Sequence, residues 1–356
     1  MDKISKEFLY KYLNNVSPTG HEYSGQKIWL DYIRNYIDEY ITDNYGTVVG
    51  VINPASKYKV VIEAHADEIS WFVNYITKEG YIYVIRNGGS DFQIAPSKKA
   101  LIHTDKGPVP AVFGWPAIHV RDPKSEPKMN EETIVLDCGC NSEKEVAKLG
   151  IHVGHVVTFN DELMELNKKY LVGRALDNRI GGFMIAEVAR RLHEKKIKLP
   201  YGLYITNAVQ EEIGLKGAEM IASNIKPDLA IVTDVCHDTQ SPHYNKIKEG
   251  DLKAGSGPVL TYAPAVQNNV LRHLILVAEK NKIPFQRAAS SRYTGTDTDA
   301  FAYSGSGVPS ALISLPLKYM HTTVEMAHFK DIEDIIKLFI AFLSQLTAGK
   351  DYRYLK

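Results

Sequence analysis

The chain has 356 residues, 44% of them hydrophobic, enough to bury a large core in one sizeable domain plus a smaller one. Its 42 basic residues balance 42 acidic ones, and a formal net charge of zero offers no basic footprint for nucleic acid. The opening MDKISKEFLY has charges within its first residues and no apolar core followed by a small-residue cleavage site, and the run Leu338 to Leu343 is too short to span a bilayer, so the reading is a soluble, cytoplasmic protein without membrane or nucleic-acid partners.

In chain order, apolar residues at helical spacing predict helices over 4–14 and 22–40, broken by Ser17-Pro18-Thr19-Gly20. The β-branched runs Thr47 to Ile52 and Lys59 to Ala64 read as strands, and the second delivers His65 and Asp67 just beyond its end. From Trp71 to Asp161 the texture changes. Short β-rich stretches at Tyr81 to Ile85, Ala100 to Thr104, Val109 to Phe113 and His155 to Phe159 are punctuated by Gly88-Gly89, Gly107-Pro108 and Asp122-Pro123, with one short helix over 142–149.

Strand and helix then alternate: helix 177–194, strand 201–209, strand 229–233, helix 266–282, strand 308–314 and helix 331–346. The fold class expected is α/β, a mixed sheet with helices on both faces, carrying an inserted small β-barrel-like domain. Residues 1–70 and 162–356 form the catalytic domain in this reading, and residues 71–161 form the insert. Cys138, Cys140 and Cys236 show neither a disulfide framework nor a zinc-knuckle spacing, which suits a reducing compartment.

Chemistry concentrates in five separated clusters: His65 with Asp67 in AHADE, Asp177 in RALDNR, Glu211 and Glu212 in QEEIGLKGA, Asp234 in IVTDV, and His321 in KYMH. In open α/β sheets ligand sites gather outside the carboxyl ends of strands, where His65, Glu211, Glu212 and Asp234 are expected. Imidazoles and carboxylates without thiolates suit Zn²⁺ or Co²⁺ in an open, water-bearing site. Taken singly, each cluster also reads as structure: a His–Asp hydrogen-bonded pair, an Asp helix cap, a solvated Glu-Glu pair. If the strand period runs on, Glu211 and Glu212 point opposite ways. Glu68 reads as an ion-paired or solvated carboxylate, and His237 with Asp238 as part of a substrate-side loop.

These motifs resemble those of the dinuclear metalloaminopeptidases of peptidase family forty-two, the tetrahedral and glutamyl aminopeptidases, from SPTGHE through to the last helix. The resemblance implies two divalent ions per subunit, Zn²⁺ or Co²⁺, with Asp177 bridging them, Glu212 a ligand, Glu211 the general base and Asp67 orienting His65. Asp234 is assigned to the ion of His65, and His321 to that of Glu212. The resemblance also implies a non-proline cis peptide between Asp177 and Asn178, and an insert used for dimers built into a homo-oligomer, a dodecamer. The implied activity is hydrolysis of the N-terminal bond of short peptides. The competing expectations are a related carboxypeptidase or N-acyl-amino-acid deacylase, and a glycan hydrolase, which would want a carboxylate pair without metal.

Overall fold

The computed structural model describes residues 1–355 except 123 and 127, so part of the expected Asp122-Pro123 turn and the terminal Lys356 lie outside the described residues. An eleven-stranded mixed sheet forms the larger part. At its centre lie four parallel strands, Gly202–Ala208, Lys59–His65, Leu229–His237 and Ser310–Lys318, in that order. Their near-continuous apolar sequences follow from burial on both faces, the usual condition of parallel strands. Helix Leu176–Glu194 packs on three of these strands, and Phe329–Gln345 packs on that helix.

The second part is a closed six-stranded barrel: Ser70–Ile76, Ile82–Asn87, Val135–Asp137, Gly107–Gly114, Lys99–Thr104 and Val156–Phe159. It has its own core around Trp71, Phe113 and Leu136. The short helix expected there is Glu143–Lys148, with the Ser142 hydroxyl accepting from the Glu145 amide. Cys138 and Cys140 pack partly buried against this core. Among the described residues no helix is long and apolar enough to cross a membrane.

Several boundaries differ from expectation. The helix expected over 22–40 stops at Ile33, and Glu39–Thr42 is instead an edge strand paired antiparallel with Val48–Ile52. All four residues of that strand are exposed, so burial left no period-2 signature to oppose the helical spacing. Strand Leu229–His237 runs four residues past the expected end, because its ladder with Ser310–Lys318 continues to His237 opposite Leu317. Asp234 therefore lies inside a strand, and His65 is the last residue of one. Strand Gly202–Ala208 ends before Glu211, which opens a 3₁₀ turn, Glu211–Ile213. The two glutamates diverge because of that turn, not because a strand period runs on. Barrel strands Ser70–Ile76 and Val135–Asp137 were not anticipated; the latter has only three residues.

Candidate metal centre

The parallel strands deliver their carboxyl ends to one side, where a cleft of about 1030 Å³ opens over His65, Asp177, Glu211, Glu212, Asp234 and His321. All six converge there, and Asp67 stands behind them. Asp177 is central. Its Oδ1 lies 3.3 Å from His65 Nε2 and its Oδ2 lies 3.3 Å from His321 Nε2, so one carboxylate faces both imidazoles. His65 Nε2 is also 4.0 Å from Asp234 Oδ1 and 3.8 Å from Glu211 Oε2, while His321 Nε2 is 3.6 Å from Glu212 Oε1.

Two donor groups result, His65/Asp177/Asp234 and Asp177/Glu212/His321, each with its ligand atoms within 4.8 Å of one another. They share Asp177 and contain no sulfur. This donor set fits a pair of divalent ions bridged by a carboxylate. The peptide between Asp177 and Asn178 is cis, as the resemblance implied.

Electrostatics of the side chains alone point the same way. Burial pushes the Glu211 carboxyl up to about 10 and that of Asp234 to about 7, with neighbouring carboxylates adding to the effect. Glu212 is raised well above the usual range by burial and by Asp177. Burial works to raise Asp177 as well, yet hydrogen bonds from His321 and His65 hold it below the carboxylate range. The hydrogen bond to Asp177 raises His321. Buried carboxylates crowded to this degree are stable as anions only beside cations.

Two other buried carboxylates hold the ligand-bearing loops by their backbone. Asp67 accepts from the amides of Glu211 (3.0 Å) and Glu212 (3.2 Å) and from the Thr19 hydroxyl, with its Oδ1 3.3 Å from His65 Nδ1. Glu325 accepts from the amides of Asp177 (3.0 Å) and His321 (2.7 Å). His321 has a positive φ of 61°, a conformation a non-glycine residue keeps only when something holds it. Barrel residues close this side: a Cβ on Gly89 would lie 2.7 Å from His321 Nδ1, and one on Gly88 would lie 3.2 Å from Glu212 Cβ.

Sequence reasoning missed Glu325, and also Glu22, which is 3% exposed, accepts from the Gln210 amide and is raised to about 8 by burial and Asp67. It also missed the buried carboxyl pair Glu63 and Asp297. Burial raises both, Glu63 to about 8, and the neighbouring Glu63 charge pushes Asp297 further up. A glutamate inside the apolar run VVIEAH was the available signal for this pair. Glu68 forms buried ion pairs with Arg174 and Arg179 and does not face the cleft. His237 and Cys236 line the cleft, whereas Asp238 turns away to accept from the Ala254 and Gln240 amides.

A family model described as M42 glutamyl aminopeptidase matches residues 46–338. The chain belongs to that family. It is 32% identical over 346 residues to the lysyl aminopeptidase of Pyrococcus furiosus, covering 96% of this chain and 98% of that relative. Among solved structures, a TET aminopeptidase from a marine sediment archaeon of the Thaumarchaeota superposes with a TM-score of 0.91 at 28% identity, over 96% of each chain. The Pyrococcus horikoshii TET1 peptidase, which can assemble into a tetrahedron or a large octahedral shell, gives a TM-score of 0.84 at 28% identity, over 96% of this chain and 100% of that one. Membership makes this M42 chain a peptide hydrolase of the aminopeptidase class, in a metal-dependent family, and this cleft holds two candidate donor groups.

Proposed function

We infer that the protein removes the N-terminal residue of short peptides with the help of two divalent ions, Zn²⁺ or Co²⁺. His65, Asp177 and Asp234 would hold one ion, and Asp177, Glu212 and His321 the other. The observation that carries this reading is Asp177, whose two oxygens face two imidazoles at equal distance. When bound, such ions polarise a carbonyl and lower the pKa of water.

The chain's own groups do the rest. Glu211 Oε2 lies beside both His65 and the cleft, where it takes a proton from the attacking water and delivers it to the leaving amine. Without cations burial keeps this carboxyl protonated, and two divalent ions beside it would lower its pKa so that the carboxylate can accept the proton and later give it up to the amine. Asp67 keeps the Glu211–Glu212 turn and the His65 ring in register by accepting from both glutamate amides. The carboxylate rim receives the free α-amine of the substrate, which accounts for attack at the terminus only. The barrel, which supplies no group to the donor triads, is the assembly module in this reading, building dimers into a dodecameric shell. The TET relatives' large assemblies support that part.

The test is hydrolysis of aminoacyl p-nitroanilides before and after exhaustive chelation, with Zn²⁺ and Co²⁺ added back. Activity that vanishes and returns with metal is the expected result, while undiminished activity in metal-free protein refutes the reading. A monodisperse monomer by light scattering at micromolar concentration refutes the assembly.

A further inference from the structure

The sign of the charge in the cleft determines which first residue it admits, an inference that rests on the aminopeptidase reading above. The four carboxylates Asp177, Glu211, Glu212 and Asp234 together offset the charge of two divalent ions. What remains sets the balance. Among the described residues that line the cleft, none is lysine or arginine. Glu219 on the rim is 3.1 Å from Lys216 Nζ, both half exposed, and that pair is close to neutral and screened by water. His237 touches Tyr244 through Nδ1, and burial lowers its pKa, so it brings no cation at neutral pH.

Asp299 is different. It lines the cleft at 8% exposure, and its carboxylate accepts from the amides of Thr294 and Gly295, at 3.0 to 3.2 Å. Among the described residues no basic side chain pairs with it. These two amides fix the carboxylate without neutralising it. Tyr293, Tyr303 and Met320 complete the wall with apolar surface for a long side-chain stem. An ammonium or guanidinium at the end of that stem meets an anion, whereas an acidic side chain would be buried against one with no cation to receive it.

We propose that this cleft selects peptides whose first residue is lysine or arginine and rejects those beginning with aspartate or glutamate, with Asp299 as the specificity-determining group. The glutamyl preference in the family model's description does not extend to this chain. Discrimination arises from repulsion of the wrong charge as much as from attraction of the right one.

The test compares the p-nitroanilides of lysine, norleucine and glutamate, since norleucine keeps a long apolar stem and removes the charge. The expected order of kcat/KM is lysine, then norleucine, then glutamate, with at least about tenfold between the ends and a lysine advantage that shrinks as salt is raised. Asp299→Asn keeps an oxygen for the loop amides and brings the lysine-to-norleucine ratio toward one, whatever it does to the common rate. If that variant does not fold, the native order and its salt dependence decide alone. Glutamate cleaved as well as norleucine, lysine with no advantage, or an unchanged ratio in Asp299→Asn overturns the proposal. Failure to cleave any of the three overturns the aminopeptidase reading itself.

Discussion

The two halves of the centre use the same chemistry on different supports. His65 and Asp234 sit on adjacent parallel strands at the middle of the sheet, and both are almost wholly buried. Glu212 and His321 sit on turns, and the His321 side chain is 36% exposed. The inner pair is positioned by a hydrogen-bonded ladder many residues long. By contrast, the outer pair is positioned by a few point contacts: Asp67 and Glu325 on loop amides, and Gly88 and Gly89 of the barrel against the side chains. A shared Asp177 joins a rigid half to an adjustable one, so damage to the supports should show first at the outer half.

The largest effect is expected where the proton moves. In Glu211→Gln, kcat falls by about 10² to 10⁴ while both ions are retained, because the amide keeps size and polarity but accepts no proton. Glu212→Gln, in contrast, lowers metal occupancy at the outer half. If Glu211→Gln loses metal and Glu212→Gln keeps it, the two assignments are exchanged.

Next comes Glu325→Ala, which leaves the amides of Asp177 and His321 without their acceptor. Each orphaned buried amide costs about 1–3 kcal/mol, partly offset by relief of a buried carboxyl, so a lower Tm accompanies loss of the outer ion. Retention of both ions with only a lower Tm would reduce Glu325 to a structural role. Gly89→Ala acts on the same half more gently. The new methyl pushes the His321 ring away, weakening outer occupancy without touching the inner one, and equal weakening of both halves would contradict the comparison.

The smallest effect is in stability against pH. In metal-free protein the raised carboxyls bind protons more tightly than the unfolded chain does, where Asp and Glu titrate near 4. Stability therefore falls as pH rises from about 5 to 8, through the Asp234 value of about 7 toward the Glu22 and Glu63 values of about 8. His321, also raised, adds a term that is full at low pH and lost on the way up. Asp177, held low, works in the opposite direction and loses its contribution only in acid. Loading with Zn²⁺ should flatten the neutral slope, since ligands then stay deprotonated; identical Tm–pH curves with and without metal would contradict this.

The contrast between the halves also explains what the sequence conveys. Buried parallel strands read as apolar runs that end on a polar residue, and this is why Lys59–His65 led directly to His65. The turn at Glu211 has no such pattern, so the glutamates were found but the reason for their divergence was not. Glu325 and Glu22 have backbone amides as partners, which carry no residue identity, and no spacing in the sequence points to them. Glu63 and Asp297 meet across more than two hundred residues, a contact that only the folded sheet creates. The edge strand Glu39–Thr42 was hidden for the opposite reason: it is exposed on both faces, and its alternation has nothing to bury.

The central claim is that two ions are held, and held unequally. Metal content per chain, measured by plasma mass spectrometry as chelator is titrated and with peptidase activity followed on the same samples, tests it most directly. The account predicts about two ions at the start, loss of the outer one before the inner, and no activity once both are gone. Simultaneous loss of both ions in one step would contradict the unequal halves, and full activity in metal-free protein would contradict the whole account.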